Sequence, residues 1–153
     1  MPIFRGSGKE FRDLHPEVTF LKLTNETENH RGLQFKTGLN VETAFFDPLS
    51  MDTGGIYFTS QEYSFEWLFI GRKHIYYREV TFPDDSIICF KDHKKFKASK
   101  LILGERQSVK ELFKDLIYCQ NALEKNGFAI QYIDEPSEEF CLKAVDTHWK
   151  ALR

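Results

Sequence analysis

Short runs in which apolar and polar residues alternate fill most of the chain between residues 18 and 103 and predict β-strands. The predicted strands are residues 18–23, 32–36, 55–59, 74–82, 86–90 and 96–103. Clusters of Asn, Asp, Pro, Ser and Gly separate these strands, and residues 37–54 are predicted to form an irregular loop. Residues 1–16, with two early glycines and Pro16, are predicted to be a flexible N-terminus.

One helix is predicted inside the strand region. Thr59 and Glu62 have the spacing of a capping box, in which the hydroxyl accepts a hydrogen bond from a free backbone N–H and the glutamate reaches back. The apolar face that runs from Tyr63 to Trp67 continues this helix, and Gly71 is suited to end it.

After Gly104 the apolar residues recur at helical spacing. Ser108 and Glu111 form a second capping-box pattern ahead of a helix. Asn126 and Gly127 should close this helix, because Gly127 can adopt a positive φ. A further helix is predicted to begin just after residue 136.

These two C-terminal helices resemble copies of one unit. Residues 118–124, YCQNALE, align without a gap with residues 140–146, FCLKAVD, at an offset of 22 residues. A period of this length made of helix and turn is typical of stacked helical repeats. Cys119 and Cys141 fall at equivalent apolar positions, and both are predicted to be small core residues rather than redox partners.

The pattern as a whole predicts an α+β protein. A β-rich N-terminal domain with one embedded helix is expected over residues 17–105, after the flexible residues 1–16, and a small helical repeat-like unit over residues 106–153. Aromatic residues make up 15% of the chain, so the core should be built largely from rings. Three cysteines without CxxC spacing indicate reduced thiols.

Charge and hydropathy exclude several classes of protein. The net charge of −2 makes nucleic acid an unlikely partner. No apolar run is long enough for a membrane span, and the first residues lack the apolar region of a secretory signal, so we expect a protein that is neither membrane-bound nor secreted. Five lysines in residues 91–100 predict the solvated face of a hairpin, with phosphate binding as the alternative.

The residues that most often carry chemistry form no complete site. Gly54 and Gly55 fit neither a P-loop nor a GxGxxG motif, so they are interpreted as the flexible entry to a strand. The histidines beyond His30 are predicted to be surface or hydrogen-bonded residues; they are His15, His74, His93 and His148. None has the spacing of a metal site, and we expect neither a metal nor a cofactor.

One motif pair carries a resemblance to an enzyme family. The stretch NHRG at residues 29–32, followed by GGIYFT at residues 54–59, resembles the catalytic core of poly(ADP-ribose) polymerase-type ADP-ribosyltransferases. The resemblance implies that His30, Gly32 and Tyr57 would bind NAD, with His30 on the ribose and Tyr57 stacked on the nicotinamide. It also implies a third catalytic residue, for which Glu79 is the first candidate and Glu105 the second.

A broader resemblance covers residues 18–105. The ordered motifs LTNETENHRGLQF, TGLNVET, GGIYFT, REVTFPDD and KFKASKLILG look like the N-terminal domain of uncharacterised mimivirus-type giant-virus proteins, many of which carry ankyrin repeats behind it. Residues 119–133, CQNALEKNGFAIQYI, are similar to a short helical repeat that such viruses multiply in tandem. The resemblance implies an origin and an architecture. The lack of a complete catalytic site, together with the repeat-like C-terminal unit, predicts a non-enzymatic interaction or scaffold module that binds a viral or host protein in the virion or the infected cytoplasm.

Overall fold

Strands dominate the first two thirds of the computed structural model, which describes residues 4–42, 45–51, 54–71, 73–92 and 94–151, without the side chains of residues 150 and 151. The strands are β1 (Phe4–Ser7), β2 (Phe20–Thr24), β3 (Asn29–His30), β4 (Leu33–Gln34), β5 (Gly38–Val41), β6 (Ile56–Ser60), β7 (Tyr76–Thr81), β8 (Ile87–Asp92), β9 (Lys95–Ala98), β10 (Lys100–Leu103) and β11 (Gln107–Ser108). The α-helices are α1 (Gly8–Leu14), α2 (Leu116–Lys125) and α3 (Glu138–Ala151). Three 3₁₀ helices cover Gln61–Trp67, Val109–Lys114 and Gly127–Tyr132. The predicted α+β class is confirmed.

Nine of the strands form one antiparallel sheet in the order β1-β8-β9-β6-β2-β7-β10-β5, with β11 beside β7. β6 joins the two halves of the sheet, because residues 56–58 pair with β9 whereas Thr59 and Ser60 pair with β2. The short strands β3 and β4 form a separate hairpin. The change of partner along β6 separates β2 from β9 and makes room for a cleft.

A cluster of phenylalanines fills one face of this sheet. Phe11 of α1 is completely buried, and its ring centroid lies 5.0 Å from that of Phe20 and 5.1 Å from that of Phe82. β1 pairs with β8, and Ser7 caps α1 by accepting a hydrogen bond from the backbone N–H of Glu10. Residues 4–14, predicted to be flexible, are therefore ordered, because Phe11 is a core residue and Phe4 packs against the same cluster.

The opposite face of the sheet carries a second core. Leu21 and Leu23 of β2 and Tyr77 of β7 belong to the same buried cluster as the apolar residues of α2 and α3. The sheet and the C-terminal helices therefore share one core. The predicted domain boundary near residue 105 stays a prediction. No helix of the described residues is both long and apolar enough to cross a bilayer.

The predicted embedded helix is present, but the prediction that a capping box of Thr59 and Glu62 begins it is wrong. Thr59 is a buried residue of β6, and its hydroxyl donates to the carbonyl oxygen of Lys94 rather than capping a helix. The Gln61–Trp67 segment is a 3₁₀ helix with no side-chain cap from Ser60. In the second predicted box Ser108 does accept a bond from the N–H of Lys110, but Glu111 does not complete the box.

Gly127 serves a purpose different from the predicted one. Asn126 ends α2 with a φ of −157°, and Gly127 begins the next 3₁₀ helix. A Cβ atom on Gly127 would lie only 2.2 Å from the carbonyl oxygen of Ala144 in α3. The glycine is needed because it lets α3 approach closely, not because of a positive φ.

Two further predictions about loops and lysines need correction. The segment predicted as an irregular loop contains β5, and the predicted strand 96–103 is divided at Ser99 into β9 and β10. Lys97, predicted to face solvent, is completely buried, and its amine donates to the carbonyl oxygens of Asp47 and Ser50. A buried lysine satisfied by backbone carbonyls cannot be distinguished from a surface lysine by local sequence.

Candidate functional site

A cleft of about 490 Å³ opens where β6 leaves β2. β2 pairs with β6 only through Phe20 and Leu21, so the next residues of β2 have no strand partner on that side. Lys22 and Leu23 line one wall of the cleft, and Tyr57 and Lys95 line another. The site thus arises from the long-range pairing of the sheet rather than from a local motif.

Two connecting segments complete the lining of the cleft. The hairpin of β3 and β4 turns at Arg31 and Gly32, whose φ values of 51° and 87° are both positive, as a two-residue type I′ turn requires. This turn brings His30 and Arg31 into the lining. Trp67, Ile70 and His74 enter it from the segment after β6. An adjoining space of about 590 Å³ shares His30, Arg31 and His74.

Lys22 is the least usual residue of the cleft. It is 9% exposed, and its amine lies 4.9 Å from the centroid of the Phe35 ring. Within the described parts of the chain, neither a carboxylate nor a hydrogen-bond acceptor contacts this amine. Burial lowers the pKa of Lys22 to about 8, so the amine is still mostly charged at neutral pH.

The other charged side chains that line the cleft are also positive. Arg31 and Lys95 line the same cleft as Lys22, and no acidic residue is among the described residues that line it. The Lys95 amine lies 4.6 Å from the centroid of the Tyr57 ring, which is a cation–π contact. The tyrosine hydroxyl donates to the carbonyl oxygen of Met51.

The environment of both cleft histidines favours the neutral form. Burial, followed by the charges of Lys22 and Arg31, lowers the pKa of His30. Burial also lowers the pKa of His74, although the hydrogen bond between its Nδ1 and the Trp67 carbonyl oxygen, 2.6 Å long, opposes this effect. The two imidazoles can therefore act as hydrogen-bonding groups at neutral pH without adding charge.

A buried ion pair supports the loop that carries the β3–β4 hairpin. Arg78 donates from Nε and Nη2 to the two carboxylate oxygens of Glu28, at 2.9 and 3.0 Å. Burial alone would raise the pKa of Glu28, but hydrogen bonds from Arg78 and Thr24 and the charges of Arg78 and Arg106 lower it. Glu28 is consequently a structural anion, neutralised by arginine.

The structure brings together only some of the predicted site residues. His30 and Tyr57 line one cleft, and Gly32 lines the adjoining space. Glu79 and Glu105 are exposed and line neither space. His93 lies outside the described residues, and those residues contain no group of three or more side chains suited to a metal.

Four residues of the cleft were not predicted to be site residues: Lys22, Trp67, His74 and Lys95. Lys22 alternates with Leu21 and Leu23 and therefore looked like the solvent side of a half-buried strand. The one available signal was Phe20, which shares the face of Lys22 and lies in the phenylalanine core.

Substituting Lys22 by Met should raise the free energy of unfolding near neutral pH by up to about 3 kcal/mol, the cost implied by its lowered pKa. The unfolded lysine titrates near 10.5 and the folded one near 8, so the gain should shrink as the pH rises through this window. Denaturant unfolding of both proteins at several pH values measures it. A loss of stability near neutral pH would contradict the conclusion that the Lys22 amine is buried without a counter-charge.

Three relatives of the chain come from one giant virus. The chain is 33% identical to an uncharacterized protein of Acanthamoeba polyphaga mimivirus over 108 residues, which are 65% of this chain and 76% of the relative. The chain belongs to this mimivirus protein family. No protein-family profile matches the chain, and no solved structure is significantly similar to it.

Two more relatives in the mimivirus family are named for ankyrin repeats. They are 30% and 34% identical over 60% and 58% of this chain. The chain spans about half the length of the first and about a third of the second. The predicted membership of a mimivirus-type family is confirmed, whereas the predicted domain organisation of the family and the resemblance to ADP-ribosyltransferases stay predictions.

Proposed function

We propose that the chain is a non-enzymatic interaction module that docks on another viral or host protein, in the virion or the infected cytoplasm, through the outer face of α3. The observation that carries this proposal is an apolar stripe that faces solvent. Leu142, Val145 and Trp149 are 64%, 67% and 58% exposed and follow one another at helical spacing. A stripe of this kind marks an interaction surface more often than single exposed side chains do.

The repeat within the chain indicates what would cover the stripe. Leu123 of α2, the equivalent of Val145, is completely buried, and Cys119 is buried where Cys141 is exposed. The prediction that both cysteines are core residues is therefore wrong for Cys141. α2 packs against all three 3₁₀ helices and α3, whereas α3 packs mainly against α2 and the third 3₁₀ helix. We infer that an amphipathic helix of the partner covers the stripe and packs on α3 in the way that α3 packs on α2.

The relatives add support of a general kind. Two of them are named for ankyrin repeats, and stacked repeats of this type commonly bind other proteins. We infer a protein partner for this chain on the same grounds. The stripe on α3 would then be the surface through which the module joins a larger assembly.

Affinity purification from infected cells tests this proposal, with Val145→Asp as the disrupting variant and Glu139→Ala as the control on the same helix. A buried carboxylate in place of valine should reduce recovery of the true partner about tenfold or more. Because Val145 is exposed, the variant should unfold within about 0.5 kcal/mol of the wild type. Equal recovery of every protein by both variants would contradict docking through α3.

Self-association of the chain is the alternative role of the α3 stripe. Size-exclusion chromatography over a range of concentrations separates it from binding to another protein. A dimer that Val145→Asp abolishes would identify a second copy as the occupant and contradict a distinct partner.

A second candidate function is the binding of NAD or a related nucleotide, which one observation favours: His30 and Tyr57 line the same cleft. The exposed positions of Glu79 and Glu105 give the cleft no carboxylate for transfer, so we propose binding alone. Thermal-shift titration with NAD and with ADP-ribose tests it. The absence of a shift at millimolar ligand would exclude this function.

A further inference from the structure

We propose that Lys22 anchors a phosphate group of a small organic ligand in the cleft between β2 and β6. The inference deepens the second candidate function, because it uses the same cleft, but it does not require a dinucleotide. It is independent of docking through α3.

The first argument is the environment of the Lys22 amine. The side chain is more than nine-tenths buried, lines the cleft, and has no anionic or hydrogen-bonding partner in the described part of the chain. Other buried cations of this molecule are satisfied: Arg78 by Glu28, and Lys97 by backbone carbonyls. A buried ammonium without a partner is costly unless a ligand supplies the counter-charge.

The second argument is the sum of the charges. Lys22, Arg31 and Lys95 line the cleft without an acidic residue among its described lining. Three positive charges suit a phosphate, which carries between about one and a half and two negative charges near neutral pH, better than a singly charged carboxylate. The neutral imidazole of His30 can add a hydrogen bond to a phosphate oxygen, whereas the Nδ1–H of His74 already donates to the Trp67 carbonyl oxygen.

The third argument is the size of the site. A volume of about 490 Å³ lies within the range of small-molecule sites and exceeds what a bare phosphate would fill. Tyr57, Trp67 and Ile70 supply apolar surface beside the cations. The occupant is therefore a phosphate ester or diphosphate whose organic part lies against these side chains.

Isothermal titration calorimetry on the full chain at low salt tests the inference, with pyrophosphate and ADP-ribose as probes and acetate as the carboxylate comparison. Lys22→Met should weaken binding of both phosphate probes at least about tenfold, the loss expected for one charge-assisted contact. Lys110→Met removes one charge from an exposed ion pair with Asp134 and should leave the affinity within about twofold.

Three results would overturn the inference: no binding of pyrophosphate or ADP-ribose by the wild type, equal affinity in Lys22→Met, or equal binding of acetate. Titration with NAD separates the two proposals for the cleft. Pyrophosphate binding that depends on Lys22, without NAD binding, supports the phosphate site and excludes the dinucleotide. NAD binding that Lys22→Met leaves unchanged supports the dinucleotide and excludes the anchoring role of Lys22.

Discussion

Phe11→Ala should lower the free energy of unfolding by about 3–5 kcal/mol, the range for truncation of a buried phenylalanine. Phe11 is completely buried, and its ring also lies 5.5 Å from that of Phe96 and 6.0 Å from that of Phe58. The truncation would remove a ring that contacts both halves of the sheet, and it would leave a cavity that rigid strands cannot fill.

Urea unfolding at equilibrium measures this effect, and Leu14→Ala is the matched control. Leu14 lies in the same helix as Phe11 but is 63% exposed, so its truncation should cost no more than about 0.5 kcal/mol. Similar losses for the two variants would show that α1 does not contribute to the core.

Glu28→Gln should also destabilise the fold by about 3–5 kcal/mol, because it leaves the guanidinium of Arg78 buried without its counter-charge. The side chains of Glu28 and Arg78 are 5% and 8% exposed. Arg78 also donates to the Thr37 hydroxyl and the Gly104 carbonyl oxygen, so the pair connects the hairpin loop with the end of β10.

The effect of Glu28→Gln should depend on pH in a defined direction. The pKa of the folded carboxyl is below the ordinary 4.5, so its contribution is complete above that pH and declines as the pH falls through the folded pKa. Glu26→Gln, an exposed change in the same turn, should be nearly neutral at every pH. A Glu28→Gln loss as small as that of Glu26→Gln would contradict the ion pair.

The local pattern of apolar and polar residues was sufficient to predict the strands that have one apolar and one polar face. Alternation located β2, β6, β7 and β8 to within a few residues. It missed β1 and α1, which contribute only the rings of Phe4 and Phe11 to the core, with polar residues and glycines between them. It also placed Lys97 in solvent, because only tertiary contacts with Asp47 and Ser50 reveal that this lysine is buried and satisfied.

The cleft was only partly predictable, for a related reason. The motif resemblance selected His30 and Tyr57, and the fold does place them in one lining. The cleft itself exists because β6 changes partners between β9 and β2, which is a long-range event with no local signature. Lys22, the residue with the most unusual environment, therefore could not be identified before the strand pairing was known.

The native thiol of Cys141 allows the docking proposal to be tested at one atom. Cys141 is exposed beside the α3 stripe, whereas Cys89 and Cys119 are buried, so a thiol-reactive photo-crosslinker can be directed to this position. The control carries the same probe on the exposed side of α2, by Glu124→Cys in a Cys141→Ser background. Labelled protein is irradiated in infected-cell lysate, and the crosslinked peptides are mapped by mass spectrometry.

The proposal predicts a crosslink from Cys141 to an amphipathic helix of another protein. This crosslink should be absent from the α2 control and lost when Val145→Asp disrupts the stripe. Crosslinks that are the same from both probe positions, or that persist in Val145→Asp, would contradict docking through α3.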